Sequence, residues 1–337
     1  MKIKFLALLA VATMLQACSG SGGSNNSVSE PKEVHGIQPD KVAEYVERFK
    51  TLNAQIKLIL DGKESAVEFL DMDDEDKQVY VKFNQGVLIF GFDMDKEQPI
   101  ASDFTIFKGD TSDIEALLKK PSQVLLHKEM TLTRSGDNFE FDGMLEDKDT
   151  TGLFPVKFVL NESLFGAGNA SFELSKNKQS VLVSGALGTS SYVKLKQLLD
   201  NNPSLKTLVL VNVEGSVNDD INMHTGRLVR NAQMTTEIRD GGEAYSGGVD
   251  LFAAGYRRVY HDGAKLGVHS WCCKDGKDAG QLSKTDPAHG AQLTFFREML
   301  GKTLGPDFYF YTIQAAPAAG IHVMTKSEVD KYLLVGQ

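Results

Sequence analysis

The fold of the C-terminal half is decided by one stretch, Gly241-Gly242-Glu243-Ala244-Tyr245-Ser246-Gly247-Gly248-Val249-Asp250-Leu251-Phe252-Ala253-Ala254-Gly255. A strand-like piece at 234–238 precedes it, and the small apolar run at 249–254 is typical of a helix. The pattern therefore places Ser246 at the joint between a strand and a helix. Backbone N–H groups are unpaired at a helix N-terminus and the helix dipole favours negative charge, which suits a nucleophile whose product is an oxyanion. The same position also suits a serine that only caps the helix, and the stretch by itself leaves both interpretations open.

Strands and helices alternate on both sides of this stretch. Strand-like segments lie at 181–187, 205–211, 257–260 and 265–268, with helix-like segments at 192–200 and up to about 231. The segment at 205–211 is nearly all apolar, which is typical of a buried parallel strand. Such alternation predicts an α/β domain, which we place at 176–337.

The N-terminal half has a different pattern. Short segments rich in β-branched and aromatic residues, separated by Asp, Gly and Asn, lie at 79–83, 87–92, 104–107, 130–133, 139–141 and 156–160. They predict an antiparallel, β-rich accessory domain over 39–175, so the fold class is α+β overall. Apolar residues recurring every three or four positions from 42 to 60 predict one amphipathic helix at its start. The acidic run at 71–76 lacks the ligand spacing of a calcium loop and is expected to be a solvated loop.

Composition excludes some classes of function. The chain has 337 residues, enough for two domains, and a net charge of −9 without a long basic run, which argues against a nucleic-acid surface. Three cysteines are too few for a disulfide framework. Adjacent cysteines seldom bridge each other, so Cys272 and Cys273 are expected to be buried thiols, with a redox pair or half of a metal site as alternatives.

The N-terminus carries a targeting signal. Lys2 and Lys4 precede an apolar run at 5–15 that is too short to span a bilayer, and Leu15-Gln16-Ala17-Cys18 follows. This arrangement resembles a bacterial lipoprotein signal, with 1–17 removed and Cys18 lipidated; an ordinary secretory signal is the alternative. The Gly-, Ser- and Asn-rich segment at 18–38 is expected to be a flexible tether. By the same resemblance, Ser19 after the cysteine favours the outer membrane, with the protein facing the periplasm.

Four motifs of the C-terminal half occur in a recognisable order. They are the strand ending Val183-Ser184-Gly185-Ala186-Leu187, the strand and turn Leu208-Val209-Leu210-Val211-Asn212-Val213-Glu214-Gly215-Ser216-Val217, the turn Tyr245-Ser246-Gly247-Gly248, and the strand Leu266-Gly267-Val268-His269-Ser270. Residues 179–335 thereby resemble the Clp protease and crotonase superfamily, and within it the periplasmic Clp-like and signal-peptide-peptidase-like branch. The resemblance covers a little under half of the chain and none of the N-terminal half.

The resemblance implies a mechanism for these residues. Ser246 would attack an acyl carbon and His269 would take its proton, while the backbone N–H groups of Gly215 and Gly247 would form the oxyanion hole. No cofactor or metal is implied. The alternative interpretation is that His269 is a core histidine at the end of a strand, with its hydrogen bonds satisfied and no catalytic role.

Two departures from the family pattern are evident. Val213 and Glu214 stand where the family turn begins with proline and glycine, so that only Gly215 matches. The family's third catalytic residue, an aspartate before the last helix, is also missing, and Ile321 falls nearest to its place. A Ser–His dyad would then operate alone, or the acid would come from Asp219, Asp220 or Asp250.

The sequence leaves two hypotheses about function, which belong to different classes. The first is a serine peptidase, or another acyl hydrolase, of the cell envelope that acts on peptides or unfolded proteins. The second is a catalytically inactive Clp-like protein that binds peptide or an envelope partner. Crotonase-type acyl-CoA chemistry is disfavoured because coenzyme A is not expected outside the cytoplasm and because a Ser/His pair is not the apparatus of that branch. An ATP-driven unfoldase is not expected as a partner because the envelope lacks ATP. The resemblance is compatible with a homo-oligomer.

Overall fold

The computed structural model describes residues 32–73, 78–92 and 101–334 of the chain. The signal segment, Cys18, most of the expected tether and residues 74–76 of the acidic run lie outside the described residues. Within that described part, no helix combines the length and apolar character that crossing a membrane requires.

The N-terminal strands form a closed barrel. Eight strands pair antiparallel, each with the next along the chain, and β8 returns to pair with β1. They are β1 (Lys57–Leu60), β2 (Lys63–Asp73), β3 (Gln78–Phe83), β4 (Gly86–Phe92), β5 (Ala101–Lys108), β6 (Gln123–Ser135), β7 (Asn138–Asp147) and β8 (Leu153–Asn161). A short helix, α2 (Ile114–Lys119), connects β5 to β6. Closure leaves none of these eight strands as a free sheet edge.

The barrel interior is filled by side chains. Alternate residues of a strand point to opposite faces, so Val79, Val81 and Phe83 of β3 are buried while their neighbours are partly exposed. The rings of Phe90, Phe104, Phe141 and Phe158 meet at the centre, with centroid distances of 5.1 to 6.3 Å. An eight-stranded barrel is just wide enough for such filling, and this one is accordingly a solid core.

The first helix is shorter than the sequence predicts. α1 runs from Val42–Asn53, and the prediction of a helix to residue 60 is wrong because β1 has already begun there. Ile56, Leu58 and Leu60 are all buried, and their spacing of two is that of a strand. Over so few residues, the same apolar positions fit both the helical period of about 3.6 residues and the strand period of two.

A second sheet of seven strands lies in the C-terminal half. Its strands are β9 (Ser171–Leu174), β10 (Ser180–Leu187), β11 (Thr207–Ser216), β12 (Thr235–Tyr245), β13 (Arg257–Tyr260), β14 (Lys265–Val268) and β15 (His322–Val323). β10, β11 and β12 are parallel neighbours, whereas β9 and β15 pair antiparallel to β10 and β14. The sequence pattern assigns the residues of β9 to the β-rich domain at 39–175, whereas in the structure β9 pairs with β10 in this second sheet.

Helices connect and cover these strands. They are α3 (Thr189–Asn201), α4 (Asp219–Asn231), α5 (Gly247–Ala253), α6 (Gly290–Leu300), α7 (Leu304–Ala315) and α8 (Lys326–Tyr332). Parallel strands need such crossovers, and α3 and α4 are the crossovers from β10 to β11 and from β11 to β12. The sheet and these helices share one buried apolar core, and we call residues 171–334 the C-terminal lobe.

β12 changes partner along its length. Its first residues pair with β13 and its last residues with β14. Ser246 follows the end of β12 directly, and its backbone N–H donates to the carbonyl of Gly267 in β14 at 2.9 Å. The strand therefore delivers Ser246 beside the strand that leads to His269.

The chain contacts the C-terminal lobe before it enters the barrel. Residues 34–37, which we call the strap, lie against α4 and α6. The N–H of Val34 donates to Thr294 Oγ1 at 2.9 Å, and His224 Nε2 lies 2.7 Å from the carbonyl oxygen of Ile37. Along the chain, the barrel therefore lies between the strap and the C-terminal lobe, and these two segments pack against each other.

Candidate active site

Ser246 occupies a strained turn between β12 and α5. Its φ of 50° and ψ of −123° are values that side-chain-bearing residues rarely adopt. A serine serving only as a cap would accept a hydrogen bond from the first turn of the helix, and the Ser246 side chain accepts none. A sharp strand-to-helix turn of this kind instead presents a serine hydroxyl for reaction.

Two glycines flank Ser246. Gly215 has a φ of 145°, and a Cβ placed on it would lie 3.3 Å from Ser246 Cβ and 3.8 Å from Ser246 Oγ. A Cβ on Gly247 would lie 2.5 Å from Ser216 Cβ, which is closer than real Cβ atoms approach. The structure therefore brings Gly215 and Gly247 next to Ser246, and only glycine fits at these positions without displacing neighbours.

A small cavity of about 40 Å³ opens at this point. It brings together Ser246, Gly247, His269, Asp219 and Asp250. The remaining lining residues form mainly apolar and aromatic walls, and they are Val249, Val268, Trp271, Gln292, Phe296, Tyr309, Thr312 and Ile313. The lining includes two carboxylates and neither lysine nor arginine.

His269 follows β14 and is half-buried. Burial lowers its pKa below the ordinary histidine value, and the nearby backbone of Ser270 and Ala318 and the charge of Asp278 only partly offset this effect. The ring is therefore neutral near pH 7, as a general base must be. Its Nδ1 is buried and has no hydrogen-bond partner in the described part of the chain. No hydrogen bond joins the Ser246 hydroxyl to His269 among the described residues, and catalytic contacts of this kind often tighten only when substrate binds.

The three candidate acids differ in position. Asp219 and Asp250 line the cavity, whereas Asp220 packs away from it, against Gly36 of the strap. Burial raises the pKa of Asp219 to about 6, and burial together with the charge of Asp219 raises the pKa of Asp250 well above its usual value. An acid that orients the catalytic histidine is ionised and acts on its ring. Neither Asp219 nor Asp250 contributes to the pKa of His269, so the structure does not place either one in that role.

The charge of Asp278, a residue that sequence reasoning missed, acts to raise the pKa of His269. Asp278 Oδ2 accepts a hydrogen bond from the backbone N–H of Ala318 at 2.8 Å, and the backbone of Ala318 in turn lies near the His269 ring. Ala318 belongs to the segment before α8, where the family resemblance places the missing acid. Ile321 of that segment is 48% exposed. Asp278 thus holds the backbone of this segment through Ala318.

A buried hydrogen-bonded chain supports one wall of the cavity. His289 Nε2 lies 3.1 Å from the carbonyl oxygen of Ser283, so this nitrogen carries the proton of the neutral ring. His289 Nδ1 therefore accepts from the Tyr309 hydroxyl at 2.6 Å, and Tyr309 accepts from Trp271 Nε1 at 2.9 Å. These contacts fix Trp271 and Tyr309, two lining residues that no motif in the sequence indicates.

Cys272 and Cys273 are joined by a disulfide, so the expectation of buried free thiols is wrong. Their sulfur atoms and a carboxylate oxygen of Asp278 lie within 4.8 Å of one another. Sulfurs bonded to each other are not thiolate ligands, so the oxidised pair does not form a metal site.

No protein-family model and no curated protein sequence matches the chain. Among solved structures, an enoyl-CoA hydratase from Bacillus anthracis is similar over 50% of this chain and 68% of its own, with 16% identity and a TM-score of 0.32. A protein from Mycobacterium abscessus described as an enoyl-CoA hydratase/isomerase is similar over 49% and 67%, with 12% identity and a TM-score of 0.31. Both are of the crotonase type named from the sequence, and these values are too low to carry an argument about the activity of this chain.

Proposed function

We propose that the protein is a serine acyl hydrolase, of the peptidase kind, with Ser246 as nucleophile and His269 as general base. One observation carries the proposal. The hydroxyl of Ser246 sits on a strained turn at the start of α5, is not used as a cap, and shares a cavity with a histidine whose pKa is lowered. Strain of this kind costs about 1–3 kcal/mol, and it is retained mainly where function needs it.

The reaction follows from these positions. Ser246 Oγ attacks the carbonyl carbon of the substrate while His269 takes the hydroxyl proton. The carbonyl oxygen becomes an anion and is stabilised by the N–H of Gly215 in β11 and the N–H of Gly247 at the start of α5. The protonated His269 then donates to the leaving group, and water releases the acyl group from Ser246 by the same steps. Asp278 acts through the Ala318 backbone by holding the histidine in place.

We also propose an envelope location, which rests on sequence alone. Cys18 would carry lipid and tether the chain to the outer membrane on the periplasmic side, with peptides or unfolded proteins as substrates. Cys18→Ser should move the protein from the detergent-extracted membrane fraction to the soluble fraction. A variant that stays in the membrane as fully as the wild type would contradict lipidation.

A fluorophosphonate probe, which reacts with activated serines, tests the hydrolase directly. The full chain and Ser65→Ala, a barrel variant that also loses one hydroxyl, should be labelled equally. Ser246→Ala should not be labelled, and His269→Ala should be labelled far more slowly. Labelling that persists in Ser246→Ala would refute the assignment of the nucleophile.

An inactive binding protein is the second candidate. It is favoured by the small size of the cavity, about 40 Å³, and by the missing hydrogen bond between the Ser246 hydroxyl and His269. If well-folded wild-type protein is not labelled by any fluorophosphonate tried, the binding function is the better explanation.

A further inference from the structure

We infer that the cavity beside Ser246 recognises a primary ammonium group, so that the substrates are peptides or other acyl compounds that carry an amino group close to the scissile carbonyl. This inference names the substrate class of the proposed hydrolase and rests on that function. It depends on three properties of the cavity, namely its charge, its unpaired carboxylate and its size.

The charge of the cavity is negative. Asp219 and Asp250 both line it, and each is close enough to the other for the charge of Asp219 to affect Asp250. No lysine or arginine is among the lining residues. A site built this way attracts a cation and repels phosphates, acyl-CoA and acidic peptides.

The second property of the cavity is the unpaired carboxylate of Asp250. Its side chain is partly buried and lines the cavity. Its carboxylate makes no hydrogen bond or ion pair with any residue in the described part of the chain. Buried carboxylates are normally paired, because leaving one unpaired costs several kcal/mol. A bound cation would pair with this carboxylate.

The size and walls of the cavity select an ammonium group. About 40 Å³ is open to the centre of a water-sized group, so a compact ammonium group enters readily, whereas a planar guanidinium is the tighter fit. The rings of Trp271, Phe296 and Tyr309 form part of the wall, and aromatic faces attract cations by about 0.5–2 kcal/mol. A metal ion fits less well. Among the described residues, only Cys272, Cys273 and Asp278 bring three potential donor atoms within 4.8 Å, and that group lies outside the cavity lining.

Two fluorophosphonates that differ in one group test the inference through labelling. One carries a short alkyl chain ending in an amine, and the other is its N-acetylated form. The wild-type chain should react at least tenfold faster with the amine, and this ratio should fall to about one in Asp250→Asn. Asp220→Asn is the matched control, because Asp220 lies next to Asp219 but outside the cavity, and it should keep the wild-type ratio.

A binding experiment separates this inference from the proposed hydrolysis. The melting temperature of full-length Ser246→Ala is measured with n-pentylamine and with 1-pentanol. The amine alone should raise it, and adding Asp250→Asn should abolish the shift while Asp220→Asn should not. Equal labelling by both probes, or an amine effect that survives Asp250→Asn, would overturn the inference while leaving the hydrolase intact. Amine binding without any labelling would support the cation site and refute the hydrolase.

Discussion

The barrel and the C-terminal lobe bury different kinds of residue. Among the described residues of the barrel, the buried polar side chains are Asp147 and Asn161. Each ends its strand, and each accepts hydrogen bonds from the backbone of the turn that follows. The lobe buries many more, which are Thr189, Ser191, Asn222, His224, Thr225, Thr236, Arg258, Ser270, His289, Thr294 and Thr312.

This difference separates a scaffold from a site. A core of phenylalanines needs only to be filled, and the core side chains that the structure describes inside the barrel are apolar. The lobe holds a strained serine, a histidine with an unpaired nitrogen and two carboxylates with raised pKa values around one cavity. Groups perturbed in this way cluster where a protein binds or reacts, at a cost to its stability.

The largest effect should come from the lobe. We expect His269→Ala to lower hydrolytic activity by about 10³-fold or more, because the nucleophile loses its base. The free energy of unfolding should change little, since the ring is only half-buried. Steady-state kinetics and urea unfolding on the same preparation measure both quantities. A small loss of activity would place the base elsewhere.

The pH dependence sharpens the same prediction. An ordinary histidine titrates near pH 6.5, whereas burial lowers the pKa of His269. Activity requires the neutral ring, so kcat/KM should rise with pH at a midpoint below about 6.5 and stay constant above it. A midpoint at or above that value would mean that the ring is not desolvated in the free enzyme.

The barrel should respond in the opposite way. Phe141→Ala removes a ring at the barrel centre and should lower the free energy of unfolding by about 3–5 kcal/mol. At a temperature where the variant is folded, the labelling rate of Ser246 should match the wild type. Urea unfolding and labelling kinetics measure the two quantities. A slower label in folded protein would show that the barrel core and the site are coupled.

Asp278 should have a smaller effect that is specific to the site. Asp278→Asn weakens the hold on the Ala318 backbone, and we expect kcat to fall about 10- to 100-fold with KM little changed, since the histidine is less firmly oriented. The midpoint of the pH profile should also move down, because the charge of Asp278 supports protonation of His269. Asp275→Asn, an exposed change in the same loop, is the control and should leave both quantities unaltered.

The smallest expected effect is a gain in stability. A carboxyl whose pKa is higher in the folded than in the unfolded chain favours folding when protonated, and it destabilises the fold as pH rises through the folded-state value. Asp250 is such a group, so Asp250→Asn should raise the free energy of unfolding by about 1–2 kcal/mol at pH 8. The gain should shrink towards zero near pH 4. Thermal unfolding at the two pH values tests this, and an equal or opposite change would show that Asp250 is already compensated.

The sequence predicted those features of the fold that depend on residues close to one another in the chain. The strands at 257–260 and 265–268 have the predicted bounds, and Ser246 lies at a joint of strand and helix. Closure of the barrel was not predicted, because the pairing of β8 with β1 joins residues about a hundred positions apart, and strand patterns do not record partners. The site was predicted only where motifs lie close to Ser246 and His269. Tyr309 lines the cavity, and Asp278 and His289 lie behind its walls, through tertiary packing that residue spacing does not reveal.

The strap has a consequence for biosynthesis. Val34 and Ile37 contact residues 260 and 187 positions later in the chain. At roughly 5–20 residues per second, the strap is made about 10 to 50 s before the partners that hold it. The barrel between them can close first, since each of its strands except the last pairs with the next. A protein shortened to begin after the strap would also leave the buried face of His224 uncovered. Such a truncation, although it lies more than 200 residues before Ser246 in the chain, would therefore alter the C-terminal lobe that contains Ser246.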